Sequence, residues 1–147
     1  MPGIERYGSG GPWEQRFGYS RAVRAGDLVL VAGTTAIDED GVVLCPGDAG
    51  GQVEVIVDAI EAALAQAGAR LDQVVRTRMF VTDISRAEEI GRAHGDRFGA
   101  IAPVATMVQV AALIDPRMLV EIEAEAYVGD QRAVRSPSGP PRTLPGS

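Results

Sequence analysis

The chain has 147 residues, 46% of them hydrophobic and 23% charged, the size and mixture of one globular domain with a packed core. A formal charge of -6 and a pI of about 4.8 argue against binding to a phosphate backbone, because that affinity rests on clustered Lys and Arg, and the arginines here are scattered. There is no lysine, which removes Schiff-base chemistry on a lysine and the usual attachment of pyridoxal phosphate. One cysteine cannot form an internal disulfide, and one histidine cannot anchor a Cys/His zinc site, so no metal or cofactor is expected and a reducing, cytoplasmic setting is.

In chain order, residues 1–15 are rich in Gly and Pro and read as an N-terminal arm, with Tyr7 and Trp13 available to pin it to the body. Charges and glycines stand where a signal peptide needs an apolar core, and no apolar run reaches membrane-spanning length. A short strand is expected over Phe17 to Val23. The turn Ala25-Gly26-Asp27 and the apolar run Leu28 to Gly33 then complete a hairpin.

Asp38 to Gly51 is punctuated by Gly and Pro and reads as a loop, with a short edge strand at Val42 to Leu44. Cys45 sits in it as a small, semi-buried residue, with no histidine nearby in sequence to make it a nucleophile. After Gly51 the period changes. Val53, Ile56, Val57, Ile60, Leu64 and Ala67 share one helical face, and Gly68 ends that helix.

Val74 to Ile84 returns to strand composition, and a second helix is predicted from about Arg86 to Phe98, with Ser85 and Glu88 spaced as a capping box. Its His94 reads as a surface or helix-packing residue. Pro103 to Val128 is read as a second hairpin, two alternating runs about a Pro-containing turn. In its last run Val120, Ile122, Ala124 and Ala126 take one face and Glu121, Glu123 and Glu125 the other. Such a row repels itself, and water, arginines or a neighbouring subunit must relieve it. Residues 130–147 lack a periodic apolar pattern and read as an extended or disordered tail.

The order strand, strand, helix, strand, helix, strand, strand implies an α+β sandwich over residues 16–129, with both helices on one face of a mixed sheet. The other face has no cover within the chain, which predicts oligomerisation.

Three blocks carry a more specific signal: GYSRAVRAGDLVLVAGTTA, DAIEAALAQAGARLDQVVRTRMFVTDI and PVATMVQVAALIDPRMLVEIEAEA. In this order and at these distances they resemble the Rid family, also called YjgF/YER057c/UK114, over roughly Gly18 to Val128. The resemblance implies a chorismate-mutase-like (bacillus type) fold and a homotrimer whose sheets close into a central barrel, with small-molecule clefts between subunits. Arg21, Arg76 and Arg78 become candidate counter-charges for the glutamate row.

The family's best-known activity is hydrolysis of reactive enamines and imines to a 2-keto acid and ammonia. The resemblance places the family's tyrosine on Tyr19, its second-strand glycine on Gly33 and its water-handling glutamate on Glu121. Thr34, Thr106 and the backbone at Met107 fall near the expected ligand. The arginine that grips the substrate carboxylate falls on Ala105, so a charged contact of about 1.5 to 3 kcal/mol is absent there. Arg117, in the turn IDPRM, is either a solvated turn residue or a displaced anion contact.

Two uses of the cleft stay open. In one, Glu121 has a raised pKa and acts on water as a general base or acid. In the other, the glutamates are a solvated or salt-bridged lining and the cleft binds a metabolite without turnover. A ribonuclease, a reading attached to some relatives, fits the acidic charge least. Neither nucleic acid nor a membrane is expected as a partner.

Overall fold

The computed structural model describes residues 3–130, which form one six-stranded mixed sheet and three α-helices. The strands are β1 (Ile4–Tyr7), β2 (Ala22–Ala25), β3 (Leu28–Thr34), β4 (Val74–Val81), β5 (Val104–Gln109) and β6 (Val120–Tyr127). The helices are α1 (Pro12–Phe17), α2 (Ala49–Gln66) and α3 (Ala87–Phe98). The sheet order is β1-β2-β3-β6-β4-β5. No helix among the described residues is long and apolar enough to cross a membrane.

The core lies between the sheet and the two longer helices. Val53, Ile56, Val57, Ile60 and Leu64 of α2 are fully buried against Val29, Val81, Val120, Ile122 and Ala126. Each large apolar side chain buried this way contributes roughly 1.5 to 3 kcal/mol. Helix α2 starts three residues earlier than its apolar stripe suggests, because the Asp48 carboxylate accepts from the Gly51 N–H at 2.9 Å and caps it. Gly68, in the left-handed region at φ 78°, turns the chain away, and Arg24 donates to the freed Ala67 carbonyl at 3.0 Å.

Helix α3 begins at Ala87 without the expected capping box. Asp83 does that work one turn earlier, accepting from the Ser85 N–H at 3.0 Å ahead of a short 3-10 turn over Ile84–Arg86. The arm expected over residues 1–15 supplies structure of its own. Its β1 pairs antiparallel with β2, Tyr7 packs on the core, and α1 stacks Trp13 on Phe17 at 5.3 Å. The strand expected over Phe17 to Val23 therefore starts only at Ala22, while Val42 to Leu44 contributes no more than an isolated bridge from Val43 to Ile37. The tail expected over 130–147 lies outside the described residues except for Asp130.

One correction concerns topology. Strands β5 and β6 do not form a hairpin: β4 lies between them, paired parallel to β5 and antiparallel to β6. Helix α3 provides the crossover that a parallel β4–β5 pair requires. Strand β6 returns to the middle of the sheet, where its apolar face is buried beneath the helices.

Candidate functional site

Because β6 alternates, burying Val120, Ile122, Ala124 and Ala126 sends Glu121, Glu123 and Glu125 to the uncovered sheet face. Register then decides what each carboxylate meets. Phe80 stands opposite Glu121, Arg78 opposite Glu123 and Arg76 opposite Glu125. Arg78 Nη1 lies 3.0 Å from Glu123 Oε1 and 3.2 Å from Glu125 Oε1, and Arg76 Nε lies 3.7 Å from Glu125 Oε2. Two arginines of β4 thus relieve two of the three glutamates. A depression of about 220 Å³ over this ionic patch is lined by Leu30, Arg76, Arg78 and the glutamates Glu123 and Glu125.

Glu121 is treated differently. Its carboxylate is half-buried and forms neither an ion pair nor a hydrogen bond with any described residue. Burial pushes its pKa above the ordinary carboxylate range, Arg21 pulls it back, and Glu123 adds to the rise. Gly33 makes room for it: a Cβ at that position would overlap Glu121 Oε1 and come within 3.1 Å of Cδ. Lack of a side chain at Gly33 therefore sets where the Glu121 carboxylate lies.

Arg21 closes this corner. Ala22 is buried against the helices and pairs with Val31, so Arg21 projects to the uncovered face. Its Nη1 donates to Thr34 Oγ1 at 3.2 Å and its Nη2 to the Gly33 carbonyl at 3.0 Å, while the Tyr19 ring centroid lies 5.8 Å from Cζ. Thr34 is buried, and its hydroxyl donates to the Ala32 carbonyl at 2.8 Å while accepting from Arg21, which orients the guanidinium. Tyr19, Arg21, Gly33, Thr34 and Glu121 are brought together by β2, β3 and β6.

The β5 residues fall elsewhere. Ala105 is in register with Thr77, on the helix side of the sheet, and exposed; Met107 is half-buried against the core. Thr106 is exposed on the uncovered face, across from Arg78. Strand β4 separates all three from Glu121 within one chain.

His94 is likewise on the helix side, its Nε2 2.8 Å from Thr77 Oγ1 and its ring against Phe98, and burial lowers its pKa. Arg117 is held by Asp115 at 2.7 Å, which brings the Asp115 carboxyl down to about 2. Arg117 is thus an exposed turn residue paired within its own turn. A larger depression, about 590 Å³ between α2 and α3, is lined by Glu54, Glu88, Glu89, Arg92 and Asp96 and touches none of the expected residues.

The sequence profile described as Endoribonuclease L-PSP matches residues 13–128. The uncharacterized protein SCO2049 of Streptomyces coelicolor is 41% identical over 126 residues, 86% of this chain and 93% of that protein. The 3-aminoacrylate deaminase RutC of Acinetobacter baylyi is 31% identical over 110 residues, 75% of this chain and 86% of that one. A crystal structure from Mycobacterium tuberculosis, Rv2704, described as a member of the YjgF/YER057c/UK114 family, is 51% identical, with a TM-score of 0.77 over 85% of this chain and 99% of that one.

Proposed function

The chain belongs to the YjgF/YER057c/UK114, or Rid, family, and from that premise we propose that it hydrolyses a small enamine or imine to a carbonyl compound and ammonia by carboxylate-assisted attack of water. The observation that carries this reading is Glu121: a half-buried carboxylate, unpartnered among the described residues, seated against Gly33 with its pKa raised. A carboxylate in that state has unused acceptor capacity and the basicity to take a proton from water. The likeness to a 3-aminoacrylate deaminase supports the same reaction class.

In this reaction an enamine first takes a proton from solvent on carbon and becomes the protonated imine. Water then adds to the C=N carbon while Glu121 accepts its proton, giving a tetrahedral amino alcohol. That proton passes to nitrogen, the C–N bond breaks to release ammonia, and the hydroxyl loses its proton to solvent as C=O forms, replacing the one taken up on carbon. Water in and ammonia out balance the step.

The site is completed in a cytoplasmic homotrimer. Leu28 and Leu30 of β3, Val104 and Val108 of β5 and Tyr127 of β6 are exposed on the described chain, and the uncovered sheet face holds Phe80 beside the Arg–Glu rows. Packing that face on neighbouring copies would bury apolar surface and bring the β5 edge, with Thr106 on the packed face, to another chain's Glu121.

Release of ammonia and 2-keto acid from freshly generated 2-aminoacrylate tests the proposal. Acceleration by the purified protein supports it. A folded protein that leaves the spontaneous rate unchanged on this and neutral imines sinks the enzymatic reading in favour of ligand binding.

A further inference from the structure

We propose that Arg21 holds the substrate's carboxylate, replacing the contact that Ala105 cannot make, so that one chain supplies both the anion anchor and the water-activating Glu121. The inference rests on the hydrolytic reading above and narrows it to substrates with a carboxylate on the C=N carbon.

The other two arginines on this face are already matched to carboxylates, Arg78 to Glu123 and Glu125, and Arg76 to Glu125. Arg21 has no carboxylate within ion-pairing distance among the described residues. Its two hydrogen-bond partners, Thr34 Oγ1 and the Gly33 carbonyl, are neutral. A guanidinium has five N–H donors, so donors remain after these two bonds, and Nε is sealed from solvent with no acceptor at all. Burying a donor without a partner is costly, and an arriving anion that draws the guanidinium toward itself would relieve that cost.

The position is also fixed before any ligand arrives. The Arg21 N–H donates to the Tyr7 carbonyl at 2.8 Å and its carbonyl accepts from the Ala32 N–H at 3.0 Å, which ties its backbone into β1 and β3. Thr34 and Gly33 hold two guanidinium nitrogens, and the Tyr19 ring stands beside it. Such preorganisation lowers the ordering cost of binding.

Glu121 lies close enough to feel the Arg21 charge, yet the two make no ion pair. The result is a fixed cation beside a fixed anion, each without an opposite charge in contact. A 2-iminocarboxylate presents the complementary dipole, a carboxylate for Arg21 next to an electron-poor C=N carbon for the water on Glu121. A neutral imine leaves Arg21 unmatched.

The test is calorimetric binding of pyruvate and its neutral isostere pyruvamide to the wild type, Arg21→Gln and Arg21→Lys, with melting curves to establish folding. Arg21→Gln keeps an amide donor and removes the charge; Arg21→Lys keeps the charge. Wild type should prefer pyruvate by roughly ten- to a hundredfold, the preference should vanish in Arg21→Gln, and Arg21→Lys should keep part of it. A wild type without the preference, or a folded Arg21→Gln that retains it, overturns the inference. Arg21-dependent pyruvate binding without ammonia release would remove hydrolysis and leave the anion site standing. Turnover with the preference intact in Arg21→Gln would do the reverse.

Discussion

Glu121 and Gly33 act as a pair, one carboxylate lying where the other residue has no side chain. Gly33→Ala must push that carboxylate aside. The obstructing atoms belong to the end of a flexible side chain and Gly33 is not in the left-handed region, so the fold should survive with a melting temperature within a few degrees of wild type. Displacing a reacting group by about 1 Å costs on the order of a hundredfold in rate, and kcat of Gly33→Ala is expected to fall by about that factor with folding intact. The raised pKa of Glu121 also has a thermodynamic sign. Between the unfolded carboxylate pKa and the higher folded one, the native chain holds more protons than the unfolded chain, so this group's contribution to stability falls as pH rises through that window. Glu121→Gln should therefore melt above wild type at neutral pH, with the gap closing below about pH 4. Melting curves across pH check this, and a variant less stable than wild type at neutral pH would contradict the burial argument. The sequence alternation marked Glu121 as facing away from the core, but Glu123 and Glu125 are marked the same way. What separates them is which β4 side chain stands opposite, a matter of register that no local pattern carries.

Helix α2 and the approach to β6 are joined by a residue that the helical stripe did not reveal. Gln52 is completely buried; its side-chain amide donates to the Arg117 carbonyl at 2.9 Å and accepts from the Leu119 N–H at 2.8 Å. These bonds fix the segment that delivers β6, and with it Glu121, to the sheet. Gln52→Leu fills similar space but leaves both backbone groups without this partner, at an expected cost of about 1 to 3 kcal/mol by denaturant unfolding. No loss of stability would show that the backbone groups find other partners. Periodicity located α2, α3 and the apolar face of β6 because each depends on neighbours along the chain. It read β5 and β6 as a hairpin because a Pro-containing turn between alternating runs looks the same whether the strands pair with each other or with a third. Inserting β4 between them is a long-range choice, made by where the buried faces of β4 and β6 fit under α2 and α3. The missed β1 has the same origin: Ile4–Tyr7 is exposed along most of its length and is a strand chiefly because β2 offers it an edge.

Taken as one body, the chain covers one sheet face with helices and leaves the other to ionic rows edged by apolar side chains. Two of the three arginines proposed as counter-charges are ion-paired to Glu123 and Glu125, and the third, Arg21, stands beside Glu121 without pairing. If this face closes a homotrimer, reversing its central charge should open it. Arg78→Glu removes the cation shared by Glu123 and Glu125 and adds a third acid beside them, and light scattering should show the trimer mass of the wild type reduced to that of a monomer. Persistence of the trimer would place the subunit contact elsewhere. That one sheet face carries neither long helix was legible from element order alone, since both long helices follow strands on the same side. What packs on that face, another copy of the chain in the proposed homotrimer, is not legible, because no pattern within one chain encodes it. The same limit explains why Ala105, Thr106 and Met107 stand apart from Glu121 in one chain although the family pattern groups them: β4 separates them here, and only a neighbour could restore their proximity.

The proposed hydrolysis turns on Glu121 taking the proton of the attacking water. The most direct measurement is the pH dependence of 2-keto acid release from freshly generated 2-aminoacrylate, run on wild type and Glu121→Gln at matched protein concentrations, with pyruvate binding measured alongside. Wild-type kcat/KM should rise with pH through a value above the ordinary carboxylate range, and Glu121→Gln should still bind pyruvate but lose at least about a hundredfold in rate together with that pH limb. A Glu121→Gln protein that turns over at the wild-type rate with an unchanged profile would contradict it.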